Sequence, residues 1–312
     1  MNKIGIIDLG TNTFNLIVAN KSVNKLDIIF KKKIPVKLGE GGISKGVISK
    51  KAYARGLDAL SKFKKEITNF KLDRVVGVGT SAIRSAANGQ EFLNEIFKKF
   101  HLEIDIISGD KEAELIYFGV KNAIHLKKQP ILIVDIGGGS TEFIIGNDTE
   151  IFWKKSYQIG CARLLEKFNP SDPISINEIM NIEKFFKTEL DNLIVQTQNF
   201  EITDLIGCSG SFESLHKMLN YNNIEKNNLN KGISFFELDI SGYNQIQKMI
   251  IESKSIDRKK IKGLIPMRSE MIVMSVIIIN FILKNIGIHN IKYSKFSLKE
   301  GLLDRILNNN YK

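Results

Sequence analysis

Ile131-Leu-Ile-Val-Asp-Ile-Gly-Gly-Gly-Ser-Thr-Glu-Phe-Ile-Ile145 decides how the rest of this 312-residue chain is read. An apolar run ends at Asp135, three glycines and Ser140-Thr-Glu142 follow, and a second apolar run begins. The flanks are short and β-branched, so they predict two strands joined by a tight turn. Glycines let successive backbone N–H groups point to one side of such a turn, which makes a concave anion site. A carboxylate at the end of a buried strand is costly unless it meets donors or a cation. Glycines that hold phosphate, beside a carboxylate that can hold a metal, are what a phosphate-ester site needs. A glycine-rich hairpin by itself serves equally well as a structural turn.

The stretch occurs twice. The N-terminus reads Ile4-Gly-Ile-Ile-Asp-Leu-Gly-Thr-Asn-Thr-Phe-Asn-Leu-Ile-Val18. Aligning Asp8 with Asp135 also aligns Ile4 with Ile131, Ile6 with Ile133, Gly10 with Gly137, Ile17 with Ile144 and Asn20 with Asn147. A repeat of such long period implies two similar domains. Turns facing each other across a cleft would grip a phosphate from both sides. The outline resembles the actin-like superfamily that includes Hsp70 and the sugar kinases. It predicts an α/β protein with two ribonuclease H-like domains, built on mixed sheets around a central cleft. The expected domains are 1–124 and 125–298, with a C-terminal helix in 299–312 packing back on the first.

The bulk composition narrows the classes. A 43% apolar fraction is that of a globular protein. The longest apolar stretch, Met271 to Leu283, is interrupted by Ser275 and Asn280 and is too short to span a bilayer. Asp8 and its turn exclude residues 1–20 as a signal peptide. Two cysteines, Cys161 and Cys208, give no disulfide framework and suit a reducing compartment. A cytoplasmic protein with no membrane partner is therefore expected. The four histidines lack ligand spacing, which argues against zinc. A net charge of +11 favours polyanionic partners. Aromatics are not interleaved with the basic runs, so no specific nucleic-acid platform is expected.

Along the chain, strands alternate with helices. One or two strands are expected in Leu26–Val36, and Leu38-Gly-Glu-Gly-Gly42 is a loop able to reach the cleft. Helices are expected over Lys51–Phe70, Gln90–Phe100, 108–123, Gly160–Phe168 and Ser175–Gln196. Arg74–Gly79 reads as a buried strand that ends in a polar turn, Thr80–Asn88, and Glu103–Ile107 as another strand. Asp204–Gly207 is a short strand followed by a helix. Asn222–Asn230 is expected to be a surface loop. Helices follow near Tyr243–Glu252, Asp257–Lys262 and Glu270–Lys284, then a strand, Ile291–Phe296, and a helix, Lys299–Leu307.

Two further residues suit phosphate chemistry. Arg84 sits in a small-residue turn beyond a buried strand, and arginine is suited to bidentate phosphate recognition. Glu112 lies in the first turn of a helix, where an acidic residue also favours the helix dipole. With these in place, the chain resembles the exopolyphosphatase/guanosine pentaphosphate phosphohydrolase (Ppx/GppA) family. The matching segments are Ile7-Asp-Leu-Gly-Thr-Asn-Thr13, Gly79-Thr-Ser-Ala-Ile-Arg-Ser-Ala-Ala-Asn88, Ile107-Ser-Gly-Asp-Lys-Glu-Ala113 and Val134–Glu142. Ile159-Gly-Cys-Ala-Arg-Leu164, Arg268-Ser-Glu270 and Ser297-Leu-Lys-Glu-Gly-Leu-Leu303 follow in family order.

The resemblance implies that Glu112 is the base that activates water, while Glu114 does not match it. It implies that Asp135 and Glu142 act at the reacting phosphate and its Mg²⁺. Gly137, Gly138, Gly139, Ser140 and Thr141 match the phosphate-binding turn. Asp8, Gly10, Thr11, Asn12 and Thr13 match the opposing turn, and Arg84 the phosphate-binding arginine. Two departures stand out: Thr13 replaces a frequent serine, and Gly207-Cys-Ser-Gly-Ser211 differs from the family's later glycine-rich turn. The implied activity is Mg²⁺-dependent removal of the terminal phosphate of inorganic polyphosphate. Alternatives are hydrolysis of guanosine pentaphosphate, a kinase of the same superfamily, and a non-catalytic alarmone or polyphosphate sensor. The reading also admits a homodimer. The family's longer members add a C-terminal helical domain, so the chain is expected to be a short, two-domain member.

Overall fold

In the computed structural model, which describes residues 3–21, 26–221 and 233–311, the duplicated hairpins nucleate two sheets. The first has strand order β3-β2-β1-β4-β5. Its strands are β1 (Lys3–Leu9), β2 (Thr13–Asn20), β3 (Asp27–Pro35), β4 (Arg74–Gly79) and β5 (Ile104–Ile106). The second has strands β6 (Ile131–Ile136), β7 (Thr141–Gly146), β8 (Ile151–Tyr157), β9 (Asp204–Cys208), β10 (Phe235–Leu238) and β11 (Asn290–Ser294). Written from its far edge, its order is β8-β7-β6-β9-β11-β10. The first five of these repeat the first sheet, with three antiparallel strands and then two parallel ones, and β10 is added antiparallel at the edge. Both halves are thus mixed-sheet α/β units built on the same strand order.

Burial explains which strands the sequence made obvious. Every residue of β6 and β7 is buried, so both read as continuous apolar runs. β8 (Ile-Phe-Trp-Lys-Lys-Ser-Tyr) is an edge strand whose two adjacent lysines interrupt the apolar pattern. Neither it nor the short β10 was expected from the sequence. The Leu26–Val36 region is one strand with alternating exposure.

The helices of the first half are α1 (Lys50–Phe70), α2 (Ser81–Arg84), α3 (Gly89–Phe100) and α4 (Gly109–Ala123). The expected polar turn at Thr80–Asn88 is thus partly helical: Ser81, Ala82 and Ile83 are buried and start a helical turn directly at the end of β4. In the second half, α5 (Cys161–Phe168) is followed by α6 (Ile176–Glu189) and α7 (Asp191–Thr197), which divide the single helix expected over 175–196 at Leu190. Helix α8 (Ser209–Leu219) leaves the end of β9. The helix expected over Asp257–Lys262 is a single turn, Ser255–Arg258. The loop expected over Asn222–Asn230 lies outside the described residues.

The helix Met271–Ile286 is buried along almost its whole length and forms the centre of the second half's core. Among the described residues, no helix is long and apolar enough to cross a membrane. The final helix, Leu298–Leu307, lies against α4 of the first half. Two glycines allow the close approach. A Cβ on Gly119 would lie 2.0 Å from the Ser297 carbonyl oxygen, and one on Gly301 would lie 1.8 Å from that of Leu115. The resulting apolar cluster takes Ile6 and Val78 from one sheet, Ile133 and Ile206 from the other, and Leu302 from the final helix. The halves therefore share a core beneath the cleft.

Candidate active site

Each hairpin ends in the same turn. Gly10 N–H donates to the Thr13 carbonyl at 3.1 Å, and Gly137 N–H to the Ser140 carbonyl at 3.0 Å. A Cβ at either glycine would sit 2.9 Å from that same carbonyl oxygen, so a side chain would disturb both turns alike. The turns touch across the cleft. A Cβ at Gly138 would lie 2.4 Å from Asn12 Nδ2, and one at Gly139 2.7 Å from Thr11 Oγ1 and 2.6 Å from Ser81 Oγ. Asn12 is itself steadied by donating to Met271 Sδ at 3.0 Å.

Between the turns lies a polar cavity of about 160 Å³. Its walls include Asp8, Gly10–Thr13, Glu112, Asp135, Gly137–Ser140 and Glu142. Of the residues expected at a site, only Arg84 and Thr141 lie outside that lining. Thr141 is fully buried and donates to the Ile159 carbonyl at 3.3 Å, which fixes the start of β7. Arg84 stands behind Glu112: its Nη1 donates to Glu112 Oε2 at 3.0 Å and to the Ile107 carbonyl at 2.9 Å.

Helix α4 carries Glu112 into the cavity. Ser108 caps it, accepting from Lys111 N–H at 3.1 Å, and Glu112 follows in the first turn with 7% of its surface exposed. Burial raises its carboxyl pKa well above the ordinary glutamate value, and the nearby Glu142 charge adds to this against the opposing pull of Arg84. Glu114 faces elsewhere, paired with Lys111 at 2.8 Å and Lys154 at 3.1 Å.

Asp135 and Glu142 are direct cross-strand partners in the β6–β7 register. Asp135 Oδ2 accepts from Ser209 Oγ at 2.7 Å and Ser297 Oγ at 2.8 Å. Glu142 Oε1 accepts from Ser156 Oγ at 2.7 Å. Burial first, and then the charge of Asp135, push the Glu142 carboxyl upward. Two buried carboxylates thus stand together, held by serine hydroxyls and, at 3.4 Å from Asp135 Oδ2, by the Cys208 thiol; their oxygens suit a hard divalent cation. No cluster of three or more His, Cys, Asp or Glu side chains that could hold a metal occurs among the described residues. The protein part of such a site would be a carboxylate pair, which is how Mg²⁺ is commonly held when substrate phosphates and water complete its shell.

Four contributors went unassigned in the sequence. Ser209 and Ser297 position Asp135, and Ser297 is also the N-cap of the final helix, closing a capping box with Glu300. That helix is therefore anchored directly to the site carboxylate. Ser156 lies on the unexpected strand β8. Arg163 binds the halves together: its guanidinium donates to the Gly139 carbonyl at 2.9 Å, the Ile43 carbonyl at 3.2 Å and Ser85 Oγ at 3.3 Å. All but Ser156 stand inside or next to the segments that carry the family resemblance, but their partners are residues far away in the chain.

A family model, the Ppx/GppA phosphatase family, matches residues 16–310. The chain belongs to the Ppx/GppA phosphatase family. A crystal structure of an exopolyphosphatase from Cytophaga hutchinsonii is 36% identical, with a TM-score of 0.95 over 99% of each chain. A Haemophilus influenzae protein, provisionally named an exopolyphosphatase, is 29% identical over 301 residues, 96% of this chain and 90% of that one. A guanosine-5'-triphosphate,3'-diphosphate pyrophosphatase from Aeromonas hydrophila is 28% identical over 98% of this chain, which spans 59% of that protein's length. The family model thus takes in the second turn, helix α4 and the final helix, and begins just after the first turn.

Proposed function

We propose that the protein is a Mg²⁺-dependent phosphohydrolase that removes the terminal phosphate of inorganic polyphosphate. The observation that carries this reading is the placement of Glu112. It is buried in a cavity walled by two glycine turns, pinned by Arg84 and opposed by the Asp135–Glu142 pair. Phosphoryl transfer depends on positioning and charge neutralisation more than on covalent chemistry. The backbone N–H groups of the two turns would hold the terminal phosphate. Glu112, with its raised pKa, would accept the proton of an attacking water, and Arg84 would keep its carboxylate aimed at that water. Ser209 and Ser297 would fix the orientation of Asp135, and Ser156 that of Glu142. Mg²⁺ held by Asp135 and Glu142 would supply charge neutralisation at the phosphate oxygens. Arg163 would keep the turns at working distance, because the site exists only when both halves contribute.

The family and its exopolyphosphatase relatives support this reading. The Aeromonas hydrophila relative supports a second one, removal of the terminal phosphate of guanosine pentaphosphate. Initial rates of phosphate release from both substrates, with and without Mg²⁺, decide between them. Faster release from polyphosphate, abolished by chelation, is expected. Phosphate transfer from ATP to a small metabolite without release into water would point to a kinase, and tight binding of either substrate without turnover to a sensor.

A further inference from the structure

The sequence marks Leu38-Gly-Glu-Gly-Gly42 as a loop able to reach the cleft, yet this loop does not line the cavity between the turns. It stands behind the first turn. Val36 N–H and Lys37 N–H donate to the Asn12 carbonyl at 3.0 and 2.9 Å, and Gly39 N–H donates to the Thr11 carbonyl at 3.2 Å. A Cβ on Gly39 would lie 2.8 Å from Thr11 Cγ2, so the segment and the turn are in direct contact. Both ends of the segment are fastened within the first half. Arg55 donates to the Val36 and Lys37 carbonyls at 2.7 and 2.9 Å, and Asn88 exchanges two hydrogen bonds with the Ile48 backbone. Its middle is fastened from the other half, by helix α5. Arg163 Nη1 donates to the Ile43 carbonyl at 3.2 Å. Glu166, three residues on and so on the same face of the helix, accepts from Gly41 N–H at 2.8 Å and Ser44 N–H at 3.2 Å.

The start of the same helix holds the second turn: Cys161 N–H donates to the Gly137 carbonyl at 3.0 Å and Ala162 N–H to the Gly138 carbonyl at 2.9 Å. One short helix is thus tied by its backbone to one turn and by its side chains to the segment behind the other. We propose that Glu166 is a positioning residue for the phosphohydrolase reaction: by holding segment 39–44 against α5 it sets the separation of the two phosphate turns, without touching substrate. The inference rests on the phosphohydrolase reading above and adds to it a residue outside the cavity. A carboxylate that accepts from backbone N–H groups makes charge-assisted hydrogen bonds, stronger than neutral ones. Its two oxygens take two separate N–H groups, so the segment cannot pivot about a single bond. Arg163 is shared with the Gly139 carbonyl and Ser85 Oγ. Among the described residues, the Glu166 carboxylate hydrogen-bonds to this segment alone. Glu166 is also exposed, so its replacement leaves the core intact.

The test measures phosphate release from polyphosphate and from guanosine pentaphosphate by wild type, Glu166→Ala, Glu166→Gln, Gly138→Val and the double variant Glu166→Ala/Gly138→Val. Misplaced turns cost more in the transition state than in substrate binding. Glu166→Ala should therefore lower kcat about tenfold, with KM changed by less than about threefold. Glu166→Gln keeps an oxygen for one of the two N–H groups, and its kcat should stay within about threefold of wild type. Gly138→Val already parts the turns, so adding Glu166→Ala to it should lower kcat by less than about threefold more. Wild-type kcat in Glu166→Ala would overturn the proposal. So would a full further loss of about tenfold in the double variant, which would show that Glu166 acts by some route other than turn spacing. If wild type hydrolyses neither substrate, the phosphohydrolase reading fails on its own. Amide hydrogen exchange then decides the link separately. Glu166→Ala should speed exchange at Lys37 and Gly39, whose N–H groups bond to the first turn, and unchanged exchange there would count against the proposal.

Discussion

At Gly10 and Gly137 the two turns close with the same backbone hydrogen bond, yet the aspartate that precedes each has a different neighbour across the hairpin. Asp8 faces Asn15, which donates to its Oδ2 at 3.0 Å, whereas Asp135 faces Glu142. One hairpin therefore matches its carboxylate with an amide donor, and the other sets two carboxylates side by side. The supports differ as well. Carbonyls of the first turn are taken by the loop at 36–39, with Val36 N–H and Lys37 N–H on Asn12 and Gly39 N–H on Thr11. Those of the second turn accept from the start of helix α5, through Cys161, Ala162 and Arg163 N–H groups. Asp135 is further fixed by two serines. Duplication supplied the same backbone twice with different side chains on it, and in the proposed reading these would divide the labour: the first turn would grip the phosphate, and the second, with Glu112 opposite, would carry the chemistry. Crowded, desolvated carboxylates are costly to a fold, and such costs concentrate at functional sites.

The largest expected effect lies at Glu112. Glu112→Gln keeps the shape and the Arg84 contact but cannot accept a proton, so turnover should fall roughly 10²–10⁴-fold with substrate affinity largely retained. Steady-state phosphate release together with calorimetric titration checks this; a rate above about a tenth of wild type would move the base elsewhere.

Forcing the turns apart should cost less. Gly138→Val places carbon against Asn12, whose Nδ2 lies 2.4 Å from the Cβ position, so the turns must separate. Because a displacement near 1 Å can cost about 10²-fold, activity should fall roughly 10–100-fold while thermal stability changes little more than for a surface substitution. Full activity would show that contact between the turns is not needed.

The smallest effect concerns stability. Burial, partly offset by Lys299 and by the Asn15 hydrogen bond, raises the Asp8 carboxyl from its ordinary value to about 6. The folded metal-free protein therefore keeps a proton that the unfolded chain has lost between about pH 4 and 6, and stability falls as pH rises through that window. Asp8→Asn removes this penalty. It should stabilise the metal-free protein by about 1–2 kcal/mol at pH 7.5, with the advantage disappearing below about pH 4, as read from urea midpoints. The same variant should weaken the grip on phosphate, a stability gain set against function. Equal stabilisation at both pH values would remove titration as the cause.

Much of this was legible in the sequence because the duplicated hairpins are buried and continuous: Asp8, Asp135 and all the glycines of both turns stand within apolar runs. The final helix, expected over Lys299–Leu307 and found over Leu298–Leu307, was likewise visible, through its family motif. What escaped was set by distant partners. β8 is an edge strand whose Lys154 and Lys155 break the pattern, so Ser156 was missed with it. Ser209 and Ser297 are unremarkable hydroxyls until the fold brings them 74 and 162 residues along the chain to Asp135. Arg84 was expected to face phosphate; its present partner, Glu112, is 28 residues away.

The division of labour between the turns can be tested with matched substitutions at equivalent register positions, Glu142→Gln in the second hairpin and Asn15→Asp in the first, by measuring kcat and KM for polyphosphate at saturating Mg²⁺. Glu142→Gln should lower kcat about 100-fold or more, by disabling the carboxylate pair at the reacting phosphate. Asn15→Asp adds charge beside the gripping turn and should raise KM while leaving kcat within about threefold of wild type. A collapse of kcat in Asn15→Asp as deep as that in Glu142→Gln would mean that both turns carry the chemistry, and would contradict the account.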